Sequence, residues 1–222
     1  MLEEKIAQLK GRLVEYASLI ERMIEKSIEG LLKNENEPLS EVMEQDEGRA
    51  NNFEIELDQL CTALIAQYQP EAKDLRTILM VLKMNNDLER MGDHAVNICE
   101  SGLFLIERPL VKPLIDIPRM AEVATKMLKD SIDSFVEENA NLAKNVCERD
   151  SVVDGLRDQI LRELITFMTS DPSTIDRSLH LMRVARNLER IADLSTNICE
   201  DVIFMVEGRV IKHHKGEEEQ HQ

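Results

Sequence analysis

The chain contains the same acidic segment twice. Residues 88–100 read LERMGDHAVNICE and residues 188–200 read LERIADLSTNICE, a separation of 100 residues with eight of the thirteen positions identical. A repeat at so long a period constrains the fold more than any local pattern, because each copy belongs to a structural unit that is built twice. Two acids four positions apart mean little once, and more when both copies keep them.

The repetition extends well beyond this segment. Residues 27–29 match residues 131–133, and residues 42–46 match residues 146–150, both at a separation of 104 residues. Since the acidic segment repeats at 100, the second half is four residues shorter, and we expect the difference to lie around a turn.

We therefore predict two homologous halves, residues 1–108 and 114–209. They join at Arg108–Pro113, where two prolines prevent a continuous helix. Residues 210–222 are predicted to form a disordered polar tail.

Composition favours long helices and excludes several functional classes. Aromatic residues make up 3% of the chain, and there are no Trp, 8 Gly and 6 Pro, which argues against a sheet-rich protein. The net charge of −16 disfavours unassisted binding to nucleic acid or to an anionic membrane. The four cysteines form no Cys-x-x-Cys pair, and Cys99 and Cys199, at equivalent helical positions, are expected to be reduced packing residues and not a disulfide pair.

No segment is suited to crossing a membrane or to secretion. The longest run without Asp, Glu, Lys or Arg is residues 59–70, which is too short to span a bilayer. The first residues carry no basic region followed by an apolar stretch, so no secretory signal is predicted. We expect a cytoplasmic protein.

Apolar residues recur every three or four positions, which is the pattern of amphipathic helices. The predicted helices are residues 6–31, 39–64 and 70–107, and then 117–138, 142–170 and 172–207. Pro70 and Pro172 suit the first turn of a helix, and Asp171 suits an N-cap. Three long helices joined by short turns in each half predict an all-α fold, a tandem repeat of two antiparallel three-helix bundles.

Each half carries polar oxygen groups on two neighbouring helices. In the first half, Glu47 and Asn51 lie as far before Pro70 as Glu89 and Asp93 lie after it. An antiparallel helix pair places residues that are equidistant from the turn side by side. We therefore predict that these four side chains meet at one level of the bundle.

The second half repeats this arrangement about Pro172. Asp150 and Asp154 precede the turn, and Glu189 and Asp193 follow it at a similar distance. Converging carboxylates would repel one another strongly without a counter-ion. Because hard oxygen ligands suit Mg, Mn, Ca or Fe, each half is predicted to hold a metal ion.

A solvated acidic face, with Arg90 and Arg190 as ion-pair partners, is the alternative interpretation. If metal binds, the second half is expected to bind it more tightly, because Asn51 is neutral where Asp154 is charged. We expect His94 and His180 to have surface or packing roles.

The two acidic segments resemble the E-R-[IM]-[GA]-D…N-I-x-E signatures of the PhoU family, and the resemblance covers essentially the whole chain. It implies two three-helix bundles with metal ions or clusters, iron or zinc for example, on E(D)xxxD motifs. The matching positions are Glu47 and Asn51 with Glu89 and Asp93, and Asp150 and Asp154 with Glu189 and Asp193. Two positions depart from the family pattern: Asn51 replaces Asp, and Ala192 replaces Gly.

The resemblance also implies a function. Family members regulate phosphate uptake and phosphate signalling, and couple the ATPase subunit of the phosphate ABC transporter to a sensor histidine kinase. Such a protein holds phosphate-starvation responses off when phosphate is ample. It would reach the membrane only through its partners and would not bind nucleic acid directly, and a homodimer is expected.

The expected cofactor is a divalent or trivalent metal ion, either iron, zinc, magnesium or manganese. The sequence contains no Gly-rich phosphate loop and no Glu-x-x-His pair of the ferritin-like type, so we predict that the protein is not an enzyme. A metal-dependent phosphohydrolase or a metal-storage protein that uses the clustered carboxylates is the alternative.

Overall fold

The structure is a computed structural model, in which residues 2–207 are described. Within these residues all regular structure is helical. The helices are α1 (Leu2–Lys33), α2 (Asn36–Glu41), α3 (Glu47–Tyr68), α4 (Ala72–Ile106), α5 (Asp116–Val136), α6 (Ala140–Ser170) and α7 (Ile175–Glu207). A π-helical turn, Val42–Asp46, separates α2 from α3, and a 3₁₀ turn, Pro172–Thr174, precedes α7. The tail predicted for residues 210–222 lies outside the described residues.

The apolar stripes meet in two bundle cores, because each amphipathic helix can bury its apolar side only against its neighbours. Helices α1, α3 and α4 contact one another in the first bundle, and α5, α6 and α7 do so in the second. Equivalent core positions, such as Leu13 and Ile117 or Met23 and Met127, are almost fully buried in both. The predicted all-α fold of two antiparallel three-helix bundles is confirmed.

The two bundles join along α4 and α7, the helices that carry the repeated segment. His94 donates from its Nδ1 to the Oδ1 of Asn187 at 2.8 Å, and Lys83 donates to Asp201 at 3.1 Å. His94 therefore has the packing role that was expected of it. Within the described residues, no helix is long and apolar enough to cross a membrane.

The second helix of the first bundle is interrupted, which the sequence did not indicate. Val42 and Val146 are separated by 104 residues and are both fully buried, whereas the buried counterparts Leu57 and Ile160 are separated by 103. The π-helical turn accommodates the extra residue without breaking the helix. One of the four additional residues of the first half thus lies inside a helix and not in a turn.

This π-helical turn also buries a carboxylate. Asp46 is 1% exposed, and its two oxygens accept from Lys26 at 2.7 Å and from Arg49 at 3.0 Å. Both of its oxygens are therefore compensated by cations of the chain itself.

The two prolines at the predicted turns behave differently. Asp171 caps the 3₁₀ turn that begins at Pro172 by accepting from the backbone N–H of Ser173 at 3.0 Å, as predicted. Pro70 does not lie in the first turn of α4, because that helix begins at Ala72. The chain reverses at Gln69, which ends α3 in the left-handed conformation with φ 47°.

Candidate functional site

The first-half candidates lie on the helical hairpin of α3 and α4. The side-chain amide of Asn85 donates to the backbone carbonyl of Glu54 at 2.9 Å, which fixes the register of the two helices. Residues 54 and 85 are nearly equidistant from the turn at Gln69. By this register, Glu89 and Asp93 lie level with the part of α3 that carries Glu47 and Asn51.

The carboxylate of α3 that acts on Glu89 is that of Glu54. Burial raises the pKa of Glu89, and the negative charges of Asp93 and Glu54 raise it further, while Arg90 opposes them. Glu54 lies one helical turn after Asn51 on the same acidic stripe, so the sequence contained the signal, but equal distance from Pro70 favoured Glu47 and Asn51.

The phenol of Tyr16, on α1, also belongs to this cluster. Tyr16 of α1 is fully buried and stacks on Phe53 with ring centroids 5.5 Å apart. Its Oη has no hydrogen-bond partner among the described residues. Burial, with the charges of Glu89, Glu54 and Asp93, raises the pKa of Tyr16 far above its usual value. A protonated hydroxyl thus lies within the electrostatic influence of three carboxylates, none of which accepts a hydrogen bond from it.

The second-half candidates have cations of the chain beside them. Arg157 of α6 donates to Glu189 at 2.6 Å, and Arg190 pairs with Asp193 at 2.9 Å. Burial lowers the pKa of Arg157, but the carboxylates of Glu189, Asp158 and Asp154 outweigh it and raise the pKa overall. Glu189 is 9% exposed, so its carboxylate is largely removed from water, whereas the Arg157 side chain is 29% exposed.

The arginine partners expected in the alternative interpretation differ between the halves. Arg190 pairs with a candidate ligand, Asp193, whereas Arg90 lies nearest to Asp87, at 3.9 Å. The first-half carboxylates Glu89 and Asp93 form no ion pair within residues 2–207.

The side chains do not converge as the hairpin register suggested. Among the residues that the structure describes, no three His, Cys, Asp or Glu side chains lie close enough together to hold a metal ion. The physical reason differs between the halves. In the first, like-charged carboxylates without a counter-ion favour separated rotamers, and Asn51 is exposed. In the second, guanidinium groups hold Glu189 and Asp193.

The donor set nevertheless fits a hard cation in the first half. Glu47, Glu54, Glu89 and Asp93 offer carboxylate oxygens, which such ions prefer. No Lys or Arg pairs with Glu89 or Asp93 within residues 2–207, and the charges of Asp93 and Glu54 add to burial in raising the pKa of Glu89, so this cluster has little compensating positive charge of its own. In the second half, where the candidates are Asp150, Asp154, Glu189 and Asp193, the fit is poorer because Arg157 and Arg190 supply that charge.

Comparison with known proteins relates both halves to one family. The sequence model described as "PhoU domain" matches twice, at residues 13–102 and 117–202. The "Phosphate-specific transport system accessory protein PhoU homolog" of Aquifex aeolicus is 40% identical over 212 residues, which cover 96% of each chain. The homolog with the same name from Deinococcus radiodurans is 38% identical over 189 residues, covering 85% of this chain and 88% of that one.

Solved structures agree with the sequence matches. The crystal structure of PhoU from Pseudomonas aeruginosa superposes with a TM-score of 0.90 at 30% identity, covering 94% of this chain and 100% of that one. The regulatory protein PhoU from Streptococcus pneumoniae, at 23% identity, has the same fold with a TM-score of 0.88. Two matched domains, near full-length relatives and a shared fold lead to one conclusion: the chain belongs to the PhoU family.

Proposed function

We propose that this protein is an accessory regulator of a phosphate transport system, which restrains phosphate uptake and the phosphate-starvation response. The observation that carries the proposal is the family match along nearly the whole chain, since relatives with 40% and 38% identity are named as accessory proteins of phosphate-specific transport. Coverage of both bundles means that this function is transferred from whole proteins and not from a shared fragment.

The architecture suits a role in protein contacts. Two bundles of long helices present extended polar faces, and the net charge of −16 favours partners with basic surfaces. We propose that the partners are the ATPase subunit of the transporter and a sensor histidine kinase. The acidic surface would steer the encounter with either of them and make association weaker at high salt.

We further propose that the first-half cluster binds a metal ion. The residues that would hold it are Glu89 and Asp93 of α4, with Glu54 and Glu47 of α3. A bound iron, zinc, magnesium or manganese ion would supply the positive charge that this half lacks. What the chain contributes is a set of carboxylates on the facing helices α3 and α4, which must turn toward one another to hold the ion, and the buried hydroxyl of Tyr16.

A deletion strain tests the regulatory proposal. In phosphate-rich medium, removing the gene is expected to raise expression of phosphate-starvation genes, and the wild-type gene is expected to restore repression. A crosslinked pull-down from the same cells should recover the transporter ATPase subunit or the sensor kinase. Unchanged expression in the deletion strain, with neither partner recovered, would refute the proposal.

A turnover assay distinguishes the regulatory function from the alternative, a metal-dependent phosphohydrolase. Metal-loaded protein is incubated with phosphate esters, and released phosphate is measured against a Glu89→Gln, Asp93→Asn variant. We expect no release above background from either protein. Metal-dependent release by the wild type alone would replace the regulatory role with an enzymatic one.

A further inference from the structure

A cationic groove runs along the second bundle, on a face that the acidic motifs do not explain. It lies between α6 and α7 beside the end of α4, and has a volume of about 870 Å³. Four arginines line it: Arg157, Arg183, Arg186 and Arg190. Asp176 and Glu189 are its two acids. A local excess of positive charge is notable on a chain whose net charge is −16.

The arginines form a row. Arg183, Arg186 and Arg190 recur at spacings of three and four, so they share one stripe of α7 that is about 10 Å long. Arg190 is held by Asp193, and Arg157 by Glu189. Neither Arg183 nor Arg186 forms an ion pair within residues 2–207, so two of the three guanidinium groups of the row have no carboxylate partner there.

One end of the groove is built from stacked side chains. The ring of His180 stacks on Phe104 with centroids 3.9 Å apart and an interplanar angle of 14°. The guanidinium of Arg108 covers Phe104, with its carbon 3.7 Å from the ring centroid. His180 Nδ1 is buried without a hydrogen-bond partner among the described residues. Burial, with the charges of Arg183 and Arg108, lowers the pKa of His180, so that the neutral ring retains one N–H donor.

Helix α4, the counterpart of α7 in the first repeat, shows that the fold does not require the positive charge of the arginine row. The α4 residues at the equivalent positions, Lys83, Asn86 and Arg90, line a different groove, between α4 and α7, together with Asp87, Asn197, Glu200 and Asp201. There, Lys83 pairs with Asp201 at 3.1 Å. Asn86 corresponds to Arg186, and Asp87 corresponds to Asn187, so the second copy has exchanged a neutral residue for a cation and an acid for an amide.

We propose that this groove binds a small anion that carries two or more phosphate groups, either an inorganic oligophosphate or a nucleoside polyphosphate. Guanidinium groups recognise phosphate oxygens through paired hydrogen bonds. A row of about 10 Å exceeds what one phosphate can contact and matches a chain of phosphates. This proposal goes beyond the regulatory function proposed above and does not depend on its partners. The groove would bind through arginines and not through a metal ion.

Isothermal titration of the full chain tests this at physiological ionic strength, with a chelator present to exclude binding through metal. The probes are inorganic triphosphate, ATP and orthophosphate. We expect triphosphate and ATP to bind, and orthophosphate to bind about tenfold more weakly or worse, since it reaches fewer guanidinium groups. Equal affinity for triphosphate and ATP would show that the phosphates alone are read, and tighter ATP binding would add a contact for the nucleoside.

The decisive variant is Arg183→Gln with Arg186→Gln, because neither side chain holds another residue in place. Its matched control is Arg22→Gln with Arg76→Gln, which removes the same charge from exposed positions outside the groove. Triphosphate affinity should fall about tenfold or more in the first variant and change little in the second. Circular dichroism and thermal melting check that both fold.

Four results would overturn the proposal. They are no binding of triphosphate or ATP, orthophosphate binding as tight as triphosphate, equal weakening in both double variants, and binding of a glutamate-rich peptide without binding of triphosphate. The last result would assign the groove to a protein partner. None of the four bears on the starvation-gene experiment, so this proposal and the regulatory one fail separately.

Discussion

Glu89 and Glu189 occupy the same position in the two copies of the repeated segment, yet their surroundings differ in charge. Glu89 faces Glu54 of α3, whereas Glu189 is bonded to Arg157 of α6 at 2.6 Å. Residues 54 and 157 are counterparts at the separation of 103 that the buried positions of these helices follow. The duplicated scaffold thus carries an acid in one half and a base in the other at one point of contact.

The first helix of each bundle, α1 or α5, makes the same distinction. Tyr16 lies under the first cluster, and its counterpart at a separation of 104 residues is Met120. Both are fully buried, but only the phenol offers a hydrogen bond. We conclude that the second half balances its acids from within, whereas the first half is arranged to receive a positive charge from outside.

The largest expected effect is on metal content. Under limiting iron or manganese, Glu89→Gln with Asp93→Asn should remove most of the bound metal, because no Lys or Arg among the described residues pairs with these carboxylates. Glu189→Gln with Asp193→Asn should leave most of it, because Arg157 and Arg190 already pair with those acids. Elemental analysis of the purified proteins measures both.

These two variants remove equal charge from equivalent positions, so each controls for the other. Their comparison also decides between two arguments. The first half has the neutral Asn51 where the second half has Asp154, so the number of carboxylates predicts tighter metal binding in the second half. The ion pairs of the second half predict tighter binding in the first. Greater loss in the second-half variant would show that the arginines do not exclude metal, and equal content in the wild type and both variants would show that neither site binds it.

Reversing the charge of residue 157 should give the second half the metal binding that we expect of the first half. Arg157→Glu removes the ion pair of Glu189 and places a third acid near Asp154, so the unfolding free energy of metal-free protein should fall by ~2–4 kcal/mol. Added Mn²⁺ should restore part of the loss. Arg157→Gln, which removes the pair without adding an acid, should lose less and gain little from Mn²⁺. Urea denaturation with chelator or with Mn²⁺ measures all three proteins.

The reciprocal change is Glu54→Arg. It should pair with Glu89, stabilise metal-free protein by up to ~1 kcal/mol, and abolish first-half metal binding. If Glu54→Arg keeps its metal, or if Mn²⁺ leaves Arg157→Glu unchanged, then residue 54 and its counterpart do not set the difference between the halves.

The helices and their register could be predicted from sequence because both depend on local rules. Apolar spacing defines the stripes, and distance from Gln69 or Asp171 sets which residues lie side by side. The π-helical turn could not be predicted in this way, because its wider turn absorbs the rotation of about 100° that one extra residue would cause, and the apolar spacing of three and four continues on both sides. It becomes visible when buried counterparts change from a separation of 104 to one of 103, which requires knowledge of burial.

The sequence predicted an acidic group in each half, but not the difference in charge between the surroundings of the two groups. Whether Arg157 reaches Glu189 across the hairpin or stays with its neighbour Asp158 depends on rotamers, and in the structure it bonds to both. Tyr16 lies on the apolar stripe of α1, so its spacing predicts a core residue. The spacing does not show that carboxylates of α3 and α4 act on its hydroxyl. Contacts between different helices, and not periodicity, distinguish the two halves.

Tyr16→Phe tests the phenol with a smaller effect. In metal-free protein it removes a buried hydroxyl without a partner and keeps the ring that stacks on Phe53, so the unfolding free energy should be unchanged or higher by ~1 kcal/mol. Metal affinity should fall several-fold if the hydroxyl supports the bound ion. Tyr68→Phe, at the end of α3, is the control and should change neither. A clear loss of stability in metal-free Tyr16→Phe would mean that the hydroxyl is already satisfied.

The smallest expected effect concerns the cationic groove of the second half and depends on pH. Burial, with the charges of Arg183 and Arg108, lowers the pKa of His180, and Asp176 opposes them only in part. Above the ordinary pKa of about 6.5 the ring is neutral in both the folded and unfolded states, so it adds no pH dependence. As the pH falls below that value, the unfolded chain takes up a proton that the folded site resists, and stability is lost until the pH passes the lowered pKa. The difference in unfolding free energy between wild type and His180→Gln should therefore be constant above pH 7 and shift against the wild type as the pH falls below 6.5. The other histidines are present in both proteins and cancel, and a difference that does not vary with pH would show that the arginines leave His180 free to protonate.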